Sequence, residues 1–192
     1  MAFRFGRVVI IETPKTGTHF IRQVLKTRNI PFTHMMRRNG GPGVHWPSRT
    51  YDIPSGFRVF ATMRHPSGLI RSFWRYCRGI QQPPQLRWSP ITPLFPVHDE
   101  FDDYIRSIIG KGPVVSKMLE LMAADHPVLR QESLTQDFYK LLCEEGYAAK
   151  TGKWQLRDSP LENVSRDWGE KWNPKLKEEF ERVEHRAIER WY

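Results

Sequence analysis

Two stretches of this chain combine residue types and spacings that suit the binding of an extended anion. The first is Pro14-Lys-Thr-Gly-Thr-His-Phe20, directly after the apolar run Val8-Val-Ile-Ile11. A buried strand that opens into a Lys/Gly/Thr turn and then a helix aims backbone N–H groups and the helix N-terminus at one spot. Lys15 adds a point charge there. The second stretch runs from Phe57-Arg-Val-Phe-Ala-Thr-Met into Arg64-His-Pro-Ser and on to Ser72-Phe-Trp74. It too reads as strand, turn and helix, with Arg64 at the strand end and Pro66 suited to a first helical turn. Arg64 offers a two-pronged donor for a phosphate, and Ser72 a hydroxyl eight residues on.

The elements that must position these residues alternate along the chain. Strands are expected at 7–12, 58–63 and 127–131, with a short one near Ile30–Thr33. Helices are expected at 17–28, 66–78, 99–109, 114–124 and 134–145, and a last one from Pro174. In the first helix Phe20, Ile21, Val24 and Leu25 share a face; in the last, Leu176, Phe180, Val183, Ala187 and Trp191 form one stripe. Acids at Asp99, Glu100, Asp102 and Asp103 suit a helix N-terminus. Ser133 and Gln136 have capping-box spacing, and Gly110 and Gly146 suit helix ends. Residues 35–56 and 79–98 read as long loops rich in proline, arginine and aromatic residues. Strands separated by helices predict an α/β domain spanning 1–192, a three-layer sandwich whose central parallel sheet is flanked by helices.

Together the two motifs resemble those of the sulfotransferase family. Pro14–Phe20 is similar to that family's loop for the 5'-phosphosulfate of 3'-phosphoadenosine-5'-phosphosulfate. Arg64-His-Pro with Ser72 and Trp74 is similar to its 3'-phosphate motif. The likeness is detailed over residues 7–78. Beyond them, Val128-Leu-Arg-Gln-Glu-Ser-Leu134 looks like a later strand and turn of the family, and Ser165-Arg-Asp-Trp-Gly169 looks like part of a C-terminal element. The resemblance implies a P-loop-like sulfotransferase fold and the transfer of a sulfuryl group to a hydroxyl or amine acceptor. It implies nucleotide contacts from Lys15, Thr16, Gly17, Thr18, His19, Phe20, Arg64, Ser72 and Arg166, with no metal. Phe20 stands where many relatives carry Trp, and Gln131 where they often carry Tyr.

Sulfuryl transfer, like phosphoryl transfer, rests on positioning and charge neutralisation. Lys15 is the candidate for stabilising the departing phosphate oxygen. His45, in Val44-His-Trp-Pro, is the candidate base, because an imidazole titrates near neutral pH and the segment is similar to the family's catalytic-His segment. His19, His34 and Glu12 are rivals for that role. Arg71, Arg75 and Arg78 read as solvated or steering charges. Acceptor recognition falls to the two long loops, with Arg37, Arg38, Trp46, Arg49, Arg87, Trp88 and Phe95. Aromatic faces beside arginines suit sugars, phenols or anionic polymers alike, and the expected partner is a small-molecule or carbohydrate acceptor.

Charge is unevenly spread. Residues 1–90 hold 15 Lys/Arg against two acids, Glu12 and Asp52, while residues 91–192 hold 15 against 19. The basic half also carries both motifs, and such a field draws in polyanions. A P-loop-type kinase or other nucleotide-binding protein fits less well. The loop is not G-x-x-x-x-G-K-[ST], and the second strand ends in Met63-Arg64 rather than in an Asp for magnesium. A non-enzymatic, nucleic-acid-binding basic protein would exploit the same charge, but no recognised nucleic-acid module is present. A protein that binds the nucleotide without turnover is a further alternative. Apolar content of 39% argues against disorder. Cys77 and Cys143 read as reduced structural thiols. The absence of a spanning apolar run or a leader-like N-terminus leads to the expectation of a cytoplasmic protein with no membrane partner.

Overall fold

A computed structural model describes residues 2–36, 48–80, 97–123, 125–147 and 169–192. His45 and Arg166 lie outside them, as do Arg37, Arg38, Trp46, Arg87, Trp88 and Phe95. The chain forms two compact units, Met1–Arg64 with Met122–Val164, and His65–Leu121 with Ser165–Tyr192.

The first unit is built on a five-stranded mixed sheet: β1 (Ala2–Phe5), β2 (Val8–Ile11), β3 (Thr33–His34), β4 (Arg58–Met63) and β5 (Val128–Arg130), in the order β3-β1-β2-β4-β5. The three strands anticipated before and after the motifs run parallel as β2, β4 and β5, with Ile11 beside Ala61 and Thr62 beside Leu129. The sheet is not wholly parallel, because β1 pairs antiparallel with both β2 and β3. Strand β1 was not anticipated. Gly6, at φ +49°, closes a two-residue turn that sets Phe5 opposite Val8, so the lead-in folds back as a hairpin. The short strand expected at Ile30–Thr33 forms later, at Thr33–His34, on the exposed edge beyond β1.

Helices α1 (Thr18–Thr27) and, later in the chain, α5 (Leu134–Glu144) cover one face of this sheet. Ile21, Val24 and Leu25 from α1 and Phe138, Leu141 and Leu142 from α5 share a cluster with Phe3, Phe5, Val8, Ile10, Phe60 and Leu129. The ring of Phe138 meets Phe5 edge-on at 5.9 Å. Each such side chain fully removed from water contributes about 1.5–3 kcal/mol. Val9, Ile11, Ala61 and Met63, on the opposite face, are also fully buried. All four residues of β2 are therefore shielded, which explains a continuous apolar run instead of an alternating one. Ser133 precedes α5 without capping it; its hydroxyl donates to Asp137 Oδ2 at 2.7 Å instead.

The second unit is helical, with α2 (Pro66–Ile80), α3 (Phe101–Ile109), most of α4 (Val114–Ala123), α6 (Pro174–Val183) and α7 (His185–Trp191). Trp74, Phe101, Trp172 and Phe180 pack ring on ring through it. The single C-terminal helix expected from its stripe is two. It breaks at Glu184, and the buried stripe is Phe180, Glu184, Ala187 and Trp191, with Val183 only half-buried. Among the described residues no helix is long and apolar enough to cross a membrane.

Candidate functional site

The loop between β2 and α1 leaves the sheet at the carboxyl end of a central strand. Its backbone is left-handed at Lys15 (φ +62°) and again at Gly17 (φ +85°). Alternation of this kind curls successive N–H groups toward one side, the geometry of an anion-binding concavity. Gly17 is also the N-cap of α1, and no side chain caps that helix. Lys15 is the one residue of the loop that carries a Cβ in the left-handed region. Such a conformation costs of order 1–3 kcal/mol and is characteristic of functional segments.

What anchors the loop is a cluster of three buried threonines. The Thr16 hydroxyl lies 2.7 Å from the carbonyl oxygen of Thr13 and 2.6 Å from Thr62 Oγ1. Thr62 Oγ1, on the neighbouring strand β4, also accepts the Thr13 N–H at 3.1 Å. All three residues are fully shielded from solvent. The Thr16 side chain is thus committed to holding the loop, and its backbone alone is left for the ligand role expected of it. Replacing Thr62 with the near-isosteric valine would strip a buried N–H and a buried hydroxyl of their shared partner. A loss of about 1–3 kcal/mol is expected from urea unfolding. An unchanged midpoint would show that the brace contributes nothing.

Gly17 is glycine for a packing reason as well as a conformational one. A Cβ there would come within 2.7 Å of Leu134 Cδ2 and 3.3 Å of Gln131 Cγ. The close approach at Gly17 is made to the start of α5. It also places the Val128–Leu134 segment beside the loop. Phe20 is partly buried against the core cluster.

Behind the loop stands an ionic chain that spacing alone did not reveal. Glu12 is 2% exposed, and its Oε1 lies 3.4 Å from Nε of Arg22, one turn into α1. The same guanidinium reaches Nε2 of His19 at 3.2 Å through Nη2. The i, i+3 spacing of His19 and Arg22 was visible in the sequence. The return of α1 over the end of β2, which brings Arg22 to Glu12, was not.

Arg64 lies just past the end of β4, in the same unit as the loop. Since β2 and β4 are parallel neighbours, the loop and Arg64 leave the same edge of the sheet. Ser72 belongs to the second unit, on α2, and is 8% exposed. Trp74, grouped with it by sequence, is a core residue of that unit, and its Nε1–H donates to His98 O at 3.0 Å.

Arg71 and Arg75, expected as solvated or steering charges, are both ion-paired. Both guanidinium groups donate to Glu170 Oε1, Arg71 at 2.7 Å, and Arg71 also donates to the Glu170 carbonyl. Burial pushes the Glu170 carboxyl up, but the hydrogen bonds from Arg71 and Arg75 outweigh it and hold the group below its ordinary value. Arg78 instead lies over the Trp74 ring at 5.1 Å. A cleft of about 440 Å³ in this unit is lined by Trp74, Arg78, Phe101 and Glu170 among others.

No family model, curated protein or solved structure matches this chain.

The geometry therefore has to speak through its own chemistry. One sheet edge carries a strained lysine, a concave run of backbone and an arginine from the adjacent strand. Such an edge can hold a ligand with two separated anionic groups. Among the described residues, no group of three or more His, Cys, Asp or Glu is placed to hold a metal ion.

Proposed function

We propose that the protein is a sulfotransferase with a three-layer, P-loop-like sulfotransferase fold. It moves the sulfuryl group of 3'-phosphoadenosine-5'-phosphosulfate to a hydroxyl or amine acceptor. The observation that carries this reading is the parallel pairing of β2 with β4, which brings the Lys15 loop and Arg64 to one edge of one sheet. In open α/β sheets ligands bind outside the carboxyl ends of the strands. The 5'-phosphosulfate lies on the Thr16–His19 backbone beside Lys15, and the 3'-phosphate on Arg64. The acceptor oxygen or nitrogen attacks sulfur in line. A new bond to sulfur forms as the sulfur–oxygen bond to the nucleotide breaks, and the electron pair stays on the 5'-phosphate. Lys15 neutralises that charge. His45 takes the acceptor's proton, a role resting on the family resemblance of Val44-His-Trp-Pro.

The test is calorimetric titration of 3'-phosphoadenosine-5'-phosphate, without magnesium, into the wild type and Arg64→Ala. The wild type should bind, and the variant should bind roughly 10–100-fold more weakly, the worth of a charge-assisted bidentate contact. A folded wild type that takes up no nucleotide overturns the proposal and brings the kinase and nucleic-acid readings forward.

A further inference from the structure

Strand β3 is an outer edge of the sheet, and its register fixes which backbone groups point away from it. Arg4 faces Thr33, Phe3 faces His34, and the Met35 N–H donates to the Ala2 carbonyl at 2.9 Å. In an antiparallel pair the hydrogen-bonded positions alternate. Thr33 and Met35 therefore turn their N–H and C=O groups toward β1, and His34 turns both of its own outward. Thr33 and His34 are exposed, and among the described residues His34 has no backbone partner on that outer side.

Side chains at 32, 34 and 36 share one face of this edge. Phe32 is partly buried against the core cluster and meets the rings of Phe3 and His34 edge-on, each at 5.7 Å. Met36 is 78% exposed, the most exposed large apolar side chain among the described residues. From Phe32 to Met36 there is no Lys, Arg, Asp, Glu or Pro, the residues with which edge strands are ordinarily blunted.

We infer that this edge pairs with the same edge of a second copy of the chain, antiparallel about a two-fold axis at His34. The pairing is self-complementary. Each His34 gives its N–H to the other's carbonyl, which satisfies the outward groups of both. Phe32 of one copy then stands opposite Met36 of the other, twice over. The exposed thioether covers the open side of a ring already seated on the core, a favourable sulfur–aromatic contact. The row itself argues for a like strand: it holds no charge to select a different one, and its own Met36 supplies the apolar cover for Phe32. The inference is independent of the sulfotransferase reading, because β1 separates β3 from the strand that leads into the Lys15 loop.

Sedimentation equilibrium of the full chain tests it. The wild type, of 22.7 kDa, should pass from monomer to dimer at roughly 10–100 μM, as suits a small interface. His34→Pro removes only an outward N–H, since that amide takes no part in the ladder to β1. It should move the transition upward by about tenfold or more, with little change in thermal unfolding. His34→Lys keeps the amide and sets two ammonium groups face to face, so the same shift is expected even if the proline variant fails to fold. His34→Cys should cross-link to itself on mild oxidation, because directly opposed residues stand about 5.5 Å apart, within disulfide reach. The wild type, with Cys77 and Cys143 alone, should not. A wild type that stays monomeric to about 500 μM overturns the proposal and leaves the edge to a strand of another protein. A dimer that neither His34→Pro nor His34→Lys weakens, and that His34→Cys does not cross-link, uses another surface and overturns it as well.

Discussion

Lys15→Gly is expected to be nearly as stable as the wild type, or slightly more so, while sulfuryl transfer falls by roughly 10²–10³. The two effects have separate origins. Lys15 holds φ +62°, where an L-residue pays about 1–2 kcal/mol that glycine does not. Glycine gives back about 0.4–1 kcal/mol of that through the greater freedom of the unfolded chain. The net change in folding is therefore a gain of about 0–1.6 kcal/mol. In the proposed reaction, in contrast, the lost ammonium would neutralise the charge that builds as the nucleotide departs. Because that charge is absent from the bound donor and develops only as the sulfur–oxygen bond breaks, turnover should suffer more than affinity for the intact donor. Release of 3'-phosphoadenosine-5'-phosphate from the sulfated donor, with a simple phenol as acceptor, measures the first. Calorimetry measures the second, and thermal unfolding the stability. A variant that turns over normally would remove Lys15 from the chemistry. One that unfolds much more easily would show that the left-handed conformation is not the strain described.

Glu184→Ala should destabilise the protein by roughly 3–5 kcal/mol. Glu184 is fully buried, yet its carboxylate accepts the N–H of Val115 at 2.9 Å and the N–H of Ser116 at 2.6 Å. The Ser116 hydroxyl donates to it as well, at 2.6 Å. The two backbone N–H groups are among the donors at the start of α4 that a helix cannot satisfy from within. Alanine would leave all three without that acceptor, against a total stability of about 5–15 kcal/mol for an ordinary domain. Chemical denaturation reads the loss directly, and a change under about 1 kcal/mol would refute the cap.

The same residue predicts a pH dependence with a definite sign. Burial pushes the Glu184 carboxyl above its ordinary value of 4.5, and the hydrogen bonds from Ser116 and Val115 offset this only in part. The folded state thus binds this proton more tightly than the unfolded chain does. The associated stability is fully present below the unfolded value and is lost as pH rises through the raised folded value. Glu170 acts in the opposite sense, since its carboxyl is held low and its contribution is lost as pH falls. Comparing the wild type with Glu184→Gln across that interval isolates the Glu184 slope. The wild type should lose stability relative to the variant as pH rises, and parallel curves would contradict the raised value.

Much of the first unit could be read directly. Val8–Ile11 and Arg58–Met63 are apolar runs of strand length, each followed by a turn residue and a helical period, and each forms the strand expected. Their parallel pairing follows, because a strand–helix–strand path favours it. The hairpin of β1 was overlooked although Gly6-Arg7 sits between two apolar runs, a pattern that signals a tight turn. The C-terminal helix was misread because Val183 and Glu184 are adjacent. Periodicity assigns the buried position to the apolar one, while the structure buries the acid beside the donors of α4.

The place of the loop, at the end of a buried strand and the start of a helix, was legible from the sequence alone, as was Arg64 at the end of the next strand. Those are short-range properties, carried by hydrophobic period and turn chemistry over a dozen residues. What holds the loop came into view only with the folded core. Thr16 meets Thr62 across 46 residues of chain, and Glu184 meets Ser116 across 68. Such contacts depend on strand register and helix packing, which bring side chains within 3 Å only after the whole core has formed. A threonine read in isolation looks like a ligand donor, and a glutamate like a solvated charge. Once buried, each must find a partner, and the partner assigns its role.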